Sequence, residues 1–154
     1  MSLTPPRFGT AHVLYWLQAE GSPRLALSLV KEELQRTGRP PVLIVLVKEA
    51  QDSIEQAFRD LGVEVHYVGW HRDFGKLIFR INEALKRLKP TGVICYSIGV
   101  HVSVGIAASW RGLKTLVHIG NAPPAERAAI QKIKLQFHAG RPFITKHIAL
   151  AIKF

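Results

Sequence analysis

The chain has 154 residues, of which 47% are hydrophobic, and this predicts a single folding unit with one substantial core. Its apolar runs are far shorter than the roughly 20 residues that cross a bilayer, and the N-terminus lacks the apolar segment of a secretory signal, so we expect a cytoplasmic protein. The 21 Lys and Arg outnumber the 11 Asp and Glu, giving a charge of +10 that suits anionic lipid, nucleic acid or a sugar nucleotide, or that simply solvates the helices.

The first half of the chain alternates short β-branched runs with segments of helical periodicity, which predicts βαβ units and a parallel sheet. Strands are predicted at residues 12–17, 42–47 and 63–68, and helices at 25–34 and 54–61. The second run is apolar at every position, which is typical of a strand covered on both faces. The third alternates, which predicts a strand nearer an edge, with Glu64 and His66 on one face. Asp52 and Glu55 have the spacing of a capping box ahead of the second helix.

The second half continues the alternation. A helix is predicted at 77–88, a strand at 93–96, a small-residue helix at 101–110 and a strand at 115–119. A basic helix follows at about 125–137, and the segment 142–154 fits either a strand or a helix. Cys95, the lone cysteine, is expected to be a small buried hydrophobe. The whole pattern predicts an α/β fold, a Rossmann-like three-layer sandwich with a mainly parallel sheet, in one domain that spans residues 1–154.

Ligands of such sheets bind in the loops that follow the strands. The first loop contains Gly21 and Ser22 ahead of a helix, whose free amides attract anions. It lacks the spacing of a dinucleotide fingerprint, and an ordinary strand-to-helix turn explains it equally well. No Walker loop, G-x-S-x-G elbow or pair of carboxylates is present, which argues against an NTPase or a hydrolase.

The loop after the fourth strand combines a phenol, a hydroxyl and an imidazole around a glycine: Tyr96, Ser97, Gly99 and His101. These groups suit the hydroxyls of a sugar. Histidine exchanges protons near neutral pH, so His101 is a candidate base for an acceptor alcohol, although a loop histidine can also be a helix-capping or surface residue.

The loop after the fifth strand contains His118, Gly120 and Asn121, which could hold a polar ligand or form an Asn-mediated turn. The remaining histidines have no spacing that predicts a metal site. The tryptophans Trp16, Trp70 and Trp110 fall in or beside predicted core elements, which argues against a stacking platform for nucleic acid.

The order of these motifs resembles the N-terminal domain of the GT-B glycosyltransferases of family 4. The resemblance rests on the strand-turn-helix of residues 12–38, on LGVEV at 61–65 leading to Gly69, on LKPTGVI at 88–94 and on VHIGN at 117–121. The Gly-Gly loop of the family is reduced here to Gly21-Ser22, and the histidine that follows its fourth strand aligns better with Tyr96 than with His101.

The resemblance implies the acceptor-binding half of a retaining, hexosyltransferase-like enzyme that uses a sugar nucleotide as donor substrate and needs no other cofactor. Catalytic roles fall to His101 or Tyr96, and the loops after the first, fourth and fifth strands form one wall of an interdomain cleft. We expect these 154 residues to lack the donor-binding C-terminal domain of the family, with its E-x7-E motif, and activity to need that domain or a partner chain. The basic residues Arg127, Lys132 and Lys134 suit an acceptor on an anionic membrane, at its inner face.

Two alternatives remain open at this point. The short length also fits a stand-alone ligand-binding or regulatory Rossmann-like domain that does not catalyse a reaction. The charge also permits a basic nucleic-acid-binding domain, although its scattered distribution argues against one.

Overall fold

A computed structural model describes residues 7–19, 21–48 and 52–118 of the protein. The elements run in the order β1 (Thr10–Leu14), α1 (Gly21–Thr37), β2 (Val42–Val45), α2 (Glu55–Arg59), β3 (Glu64–Tyr67), α3 (Phe74–Leu88), β4 (Gly92–Cys95), a 3-10 turn (Ile98–Val100), α4 (His101–Ser109) and β5 (Thr115–Val117). The five strands form one parallel sheet in the order β3-β2-β1-β4-β5. The helix and terminal segment expected at 125–137 and 142–154 lie outside the described residues.

Helices cover both faces of this sheet. On one face, Ala26 and Val30 of α1 and Phe58 of α2 pack against the strands. On the other face, the apolar stripe of α3 and the small residues of α4 pack against a second cluster of strand residues. The predicted Rossmann-like three-layer α/β sandwich is therefore confirmed, with an all-parallel sheet over the described residues.

The strands are shorter than the apolar runs that predicted them. β1 ends at Leu14 and β2 at Val45, whereas the runs continue to Leu17 and Val47. The extra residues still pack on the core, since Leu17 and Leu46 are each 1% exposed, and this explains why hydrophobicity alone overestimates strand length. Tyr15 and Trp16 consequently lie beyond the carboxyl end of the sheet.

The expected places of the second and third strands in the sheet are confirmed. All four residues of β2 are buried, as its uninterrupted apolar sequence indicates, because strands flank it on both sides and helices cover both faces. β3 is an edge strand. Glu64 and His66 share a face, where His66 Nε2 lies 3.0 Å from a carboxylate oxygen of Glu64.

The predicted capping box of α2 is wrong. Asp52 adopts a left-handed conformation with φ of 50°, and the helix begins only at Glu55, whose amide donates to the Ser53 hydroxyl at 3.2 Å. The Glu55 carboxylate accepts hydrogen bonds from Arg59 and from the Tyr67 hydroxyl, so it does not return to the cap. The helix is five residues long and ends at Arg59, two residues before the predicted end.

The predicted helix α3 is confirmed and ends at Leu88 as expected, but it begins at Phe74, three residues before the predicted start. Asp73 caps the helix by accepting from the Lys76 amide at 3.0 Å, and Lys86 and Arg87 occupy the last turn, where cations complement the helix dipole. Lys89 closes the helix in the left-handed region, with φ of 49° and its amide bonded to the Leu85 carbonyl. Pro90 then follows, as the sequence indicates.

Two tryptophans lie at the surface and not in the core. Trp70 is 44% exposed and Trp110 is 62% exposed, because they stand just beyond β3 and α4 rather than within them. Cys95 is buried, as expected, and burial raises the pKa of its thiol to about 12. A thiol of such a pKa stays protonated, and hence poorly nucleophilic, at neutral pH.

Candidate ligand site at the switch point of the sheet

The strand order contains a switch point, where open parallel sheets bind their ligands. β1 and β4 are neighbours, yet the chain leaves β1 toward α1 on one face of the sheet and leaves β4 toward α4 on the other. At such a switch point the two loops diverge and leave a crevice outside the carboxyl ends of the strands. The predicted site residues Gly21, Ser22, Ser97 and Gly99 lie in these two loops or at the helix start that follows.

Gly21 and Ser22 form the first turn of α1. Gly21 is exposed, and an added Cβ would meet no atom within 4 Å, so the space beside it is open. The first turn contains no acidic side chain, and its free amides give this helix end a partial positive charge. The turn is anchored upstream, where the Ala19 amide donates to the Asp52 carbonyl at 3.1 Å. An anion is therefore electrostatically acceptable here, and an ordinary turn remains an equally complete description.

His101 is the first residue of α4 and is partly buried. Its Nδ1 hydrogen-bonds the carbonyl oxygen of Ile98, which can only accept, so Nδ1 carries the proton. In the neutral ring Nε2 is then the unprotonated nitrogen, and no described residue hydrogen-bonds it. The backbone thus selects the tautomer in which Nε2 can take a proton from an alcohol.

Tyr96 has a different orientation from the one expected of a residue that meets substrate. Its side chain is turned inward, only 5% of the residue is exposed, and its hydroxyl lies 2.7 Å from Nδ1 of His12. The two rings are nearly parallel, with centroids 5.7 Å apart. Burial raises the pKa of the Tyr96 hydroxyl, and the negative charge of Glu33 raises it further.

His12 belongs to a buried polar network that sequence reasoning missed. It is fully buried in β1, and its Nε2 lies 3.3 Å from a carboxylate oxygen of Glu33 on α1. Glu33 also accepts from the Thr10 amide at 2.7 Å and from the Thr10 hydroxyl. Burial acts to raise the pKa of Glu33, but the hydrogen bonds from His12 and Thr10 outweigh it and hold that pKa below its ordinary value.

A sequence signal for this network existed. Glu33 follows Ala26 and Val30 at the i+7 and i+3 positions, so it lies on the inward stripe of α1, where a carboxylate needs a partner. His12 is likewise a polar residue in an otherwise apolar strand. The sequence does not indicate that His12 and Glu33 are partners, because no local pattern shows which strand residue faces a given position of α1.

His118 follows β5, next to the loop after β4. Its amide donates to the Cys95 carbonyl at 2.8 Å, and its ring centroid lies 5.9 Å from that of Tyr96. Its Nδ1 is buried without a hydrogen-bond partner among the described residues. The structure therefore brings His118 beside Tyr96, whereas Gly120 and Asn121 lie outside the described residues.

Two further features bear on partners. Within residues 7–19, 21–48 and 52–118, no three histidine, cysteine, aspartate or glutamate side chains come together as they would around a metal ion. No helix in the same ranges has the length and apolar character needed to span a bilayer.

Comparison with known proteins supports the fold. No protein-family model matches the chain. No curated protein matches it either. Among solved structures, the chain is similar to MurG of Acinetobacter baumannii, a GT-B glycosyltransferase of family 28, with 19% identity and a TM-score of 0.53 over 72% of this chain.

The match covers 34% of the MurG chain, so this chain spans about a third of the length of that protein. At such identity the similarity bears on the fold and lends no support to family 4 in particular. Together with the sheet order, it shows that the described part of the chain has an α/β Rossmann-like fold similar to one half of a GT-B structure.

Proposed function

We propose that the chain is the acceptor-binding half of a glycosyltransferase that uses a sugar-nucleotide donor and works only together with a second, donor-binding domain. The observation that carries the proposal is the position of His101 in a GT-B-like fold. This histidine begins the helix beside the crevice, and its hydrogen bond to Ile98 leaves Nε2 as a proton acceptor.

The proposed chemistry uses that nitrogen directly. An acceptor hydroxyl approaches the anomeric carbon of the donor sugar on the face from which the diphosphate departs, so that configuration is retained, and it transfers its proton to His101 Nε2 as its oxygen bonds to that carbon. The bond from that carbon to the phosphate oxygen breaks, and the nucleoside diphosphate leaves with the electron pair. The partial positive charge at the start of α1, at Gly21 and Ser22, favours the anionic leaving group from this side of the cleft.

The other predicted site residues have supporting roles in this proposal. Ser97 and Gly99 border the crevice, and His118 lies beside Tyr96 at its β5 side. Tyr96 supports the loop after β4 and does not itself contact the substrate, because its hydroxyl is hydrogen-bonded to the buried His12. Gly120 and Asn121 remain part of the proposal through the sequence alone.

The finer assignments rest on sequence motifs. The resemblance to family 4 implies that the product retains the anomeric configuration of the donor, and NMR of the product anomer tests this. Contact with an anionic membrane through Arg127, Lys132 and Lys134 likewise stays a prediction, because these residues lie outside the described part of the chain.

The decisive experiment supplies a donor-binding half. The chain is joined to the donor-binding domain of a family 4 enzyme, and release of nucleoside diphosphate from UDP-, GDP- and ADP-sugars is measured with a panel of glycoside acceptors. We expect acceptor-dependent release from the pair and none from either half. His101→Asn should lower kcat by about 100-fold or more, which is the contribution typical of a general base.

A matched control is Ser109→Ala at the far end of the same helix, which should leave kcat unchanged. Release that is equally fast in the His101 variant would overturn the proposed base. Acceptors that bind the chain, as seen by NMR shifts in residues 97–101, without any transfer by the pair would favour the stand-alone ligand-binding domain. Binding to DNA or RNA of any sequence that weakens steeply with salt would favour the nucleic-acid alternative.

A further inference from the structure

Three aromatic side chains come together outside the carboxyl end of the sheet. Tyr15 and Trp16 follow β1, and Trp70 follows β3, on the far side of β2. The Tyr15 ring contacts both tryptophans edge to face, with centroid distances of 5.1 Å to Trp16 and 5.5 Å to Trp70. Two loops that are separated by a strand are thus joined by one aromatic cluster, which we call the aromatic triplet.

The triplet extends from the core to the surface, since Tyr15 packs against the core cluster of the α3 face while Trp70 is exposed. Trp70 is 44% exposed, and its ring meets that of Tyr15 at 64°, so the two rings do not stack face to face. A large aromatic ring that is left half exposed forfeits much of the free energy that its burial would contribute. Such a ring at the ligand-binding edge of an α/β sheet is a candidate contact for a ligand.

The backbone holds Trp70 in place. Val68 continues the ladder through its amide to the Val45 carbonyl at 3.0 Å, and Gly69 then turns the chain with φ of 76°. The Arg80 guanidinium on α3 donates to the Gly69 carbonyl at 3.3 Å, and a Cβ at Gly69 would come within 2.9 Å of it. The indole is therefore presented on a turn that needs glycine and is braced from the neighbouring helix.

We propose that the aromatic triplet is a carbohydrate subsite, in which a pyranose ring of the acceptor packs its C–H face on the indole of Trp70. The electron-rich face of an aromatic ring attracts the weakly positive C–H groups of a sugar. The indole N–H and the exposed side chain of Arg72 offer hydrogen-bond donors to hydroxyls at the edge of that sugar. This inference rests on the proposed function, because it assigns the substrate class of the same crevice.

The position of the triplet indicates how large the acceptor is. β3, which leads to Trp70, lies two strand spacings from β1, so the turn that carries the indole is about 10 Å from the end of β1 beside the switch point. A single hexose whose hydroxyl reacts beside His101 does not reach that far, whereas a disaccharide or trisaccharide does. The acceptor is accordingly an oligosaccharide or a glycosylated molecule, and Trp70 contacts a sugar remote from the reacting one.

The experiment measures binding by the full 154-residue chain and needs no catalysis. The probes are maltotriose, cellotriose, mannotriose and chitotriose, with the corresponding methyl glycosides, followed by saturation-transfer NMR and tryptophan fluorescence. We expect at least one trisaccharide to bind more tightly than its methyl glycoside. Trp70→Ala should weaken that trisaccharide by about tenfold, which is the scale of one aromatic contact. Trp70→Phe should restore most of the affinity.

Trp110→Ala is the matched control, since Trp110 is 62% exposed but caps the opposite end of α4. It should leave trisaccharide binding unchanged. The proposal is overturned if none of the four trisaccharides binds, or if Trp70→Ala and Trp110→Ala bind them equally well. It is also overturned if Trp70 fluorescence responds to UMP or to vesicles of phosphatidylglycerol and not to the sugars.

Failure of this inference can be told apart from failure of the proposed function. In the joined enzyme, Trp70→Ala should raise KM for the trisaccharide and leave kcat unchanged, whereas His101→Asn should lower kcat. If trisaccharide binding depends on Trp70 but the joined enzyme transfers no sugar, the proposed glycosyltransferase function is wrong and the proposed sugar subsite is supported. If transfer by the joined enzyme does not change in Trp70→Ala, the proposed function is supported and the proposed sugar subsite is wrong.

Discussion

The two faces of the sheet are packed by different chemistry. Toward α3 and α4 the central strands present only apolar residues, such as Val13, Ile44 and Val93. Toward α1 the same sheet presents His12, fully buried and bonded to Glu33 and to the Tyr96 hydroxyl. Apolar packing stabilises in proportion to area and without direction, whereas hydrogen bonds fix particular atoms at particular distances.

This difference indicates what each face contributes. The α3 face supplies stability to the whole sheet. The α1 face ties together three parts of the molecule that meet under the crevice: β1 through His12, α1 through Glu33 and the loop after β4 through Tyr96. We infer that the polar face orients the site, while the apolar face holds the fold, and substitutions on the two faces should therefore have different signatures.

The largest change in the free energy of unfolding is expected when a buried side chain is shortened on the apolar face, which packs against α3 and α4. Ile81 of α3 is fully buried, so Ile81→Ala removes its packing and leaves a cavity, which should lower the free energy of unfolding by about 2–5 kcal/mol. Urea denaturation measures this change. Phe79→Ala, two residues earlier and 60% exposed, is the control and should change the free energy by less than about 0.5 kcal/mol. Equal losses in the two variants would mean that α3 packs by another face.

The second-largest change in stability is expected in the polar network of His12, Glu33 and Tyr96. His12→Leu leaves the buried Tyr96 hydroxyl without its partner and removes one bond to Glu33, which should cost about 1–3 kcal/mol of unfolding free energy. Adding Tyr96→Phe removes the stranded hydroxyl, so the double variant should be less destabilised than the sum of the single variants. Strict additivity in urea denaturation would show that the two side chains do not depend on each other.

The network also predicts a dependence on pH. Hydrogen bonds hold the pKa of Glu33 below its ordinary value of 4.5, so its ionised form stabilises the fold above that pH, and the contribution is lost as pH falls through the lower, folded value. Glu33→Gln should therefore lower stability at pH 7 and make the loss of stability below about pH 4.5 less steep. Thermal unfolding between pH 3 and 7 measures both. Glu32→Gln, on the exposed side of α1, should leave the acid profile unchanged.

The same comparison explains what could be predicted from the sequence. The sequence signals for the α3 face are local. The apolar stripe of α3 and the unbroken apolar run of β2 each indicate burial without reference to the rest of the chain. The parallel order of elements, which sets the crevice, follows from such patterns, and so do the loops that contain Ser97 and His101. The Tyr96 hydroxyl, however, is placed by a residue 84 positions away in the chain, and no pattern of local periodicity encodes such a pair.

Asp52 illustrates the other limit. Its spacing to Glu55 indicates a capping box, but the Glu55 carboxylate accepts a hydrogen bond from Tyr67 on β3 and does not return to the cap. Here a tertiary contact competes with a local preference and prevails. Trp70 was expected beside the third strand, and the sequence does not indicate that it is 44% exposed there.

The smallest change in the free energy of unfolding is expected at a buried hydroxyl on the α4 side of the sheet, which has no hydrogen-bond partner among the described residues. Ser103 of α4 is 1% exposed, and its hydroxyl makes no hydrogen bond with any described residue. Ser103→Ala removes this desolvated group and introduces the best helix former, so it should raise the free energy of unfolding by about 0.5–1 kcal/mol. Ser109→Ala on the exposed turn of the same helix, where the hydroxyl donates to the Ile106 carbonyl, should change it less. A loss of stability in Ser103→Ala, measured by urea denaturation, would mean that this hydroxyl does have a partner and that the α4 side also relies on directed bonds, which would weaken the contrast between the two faces.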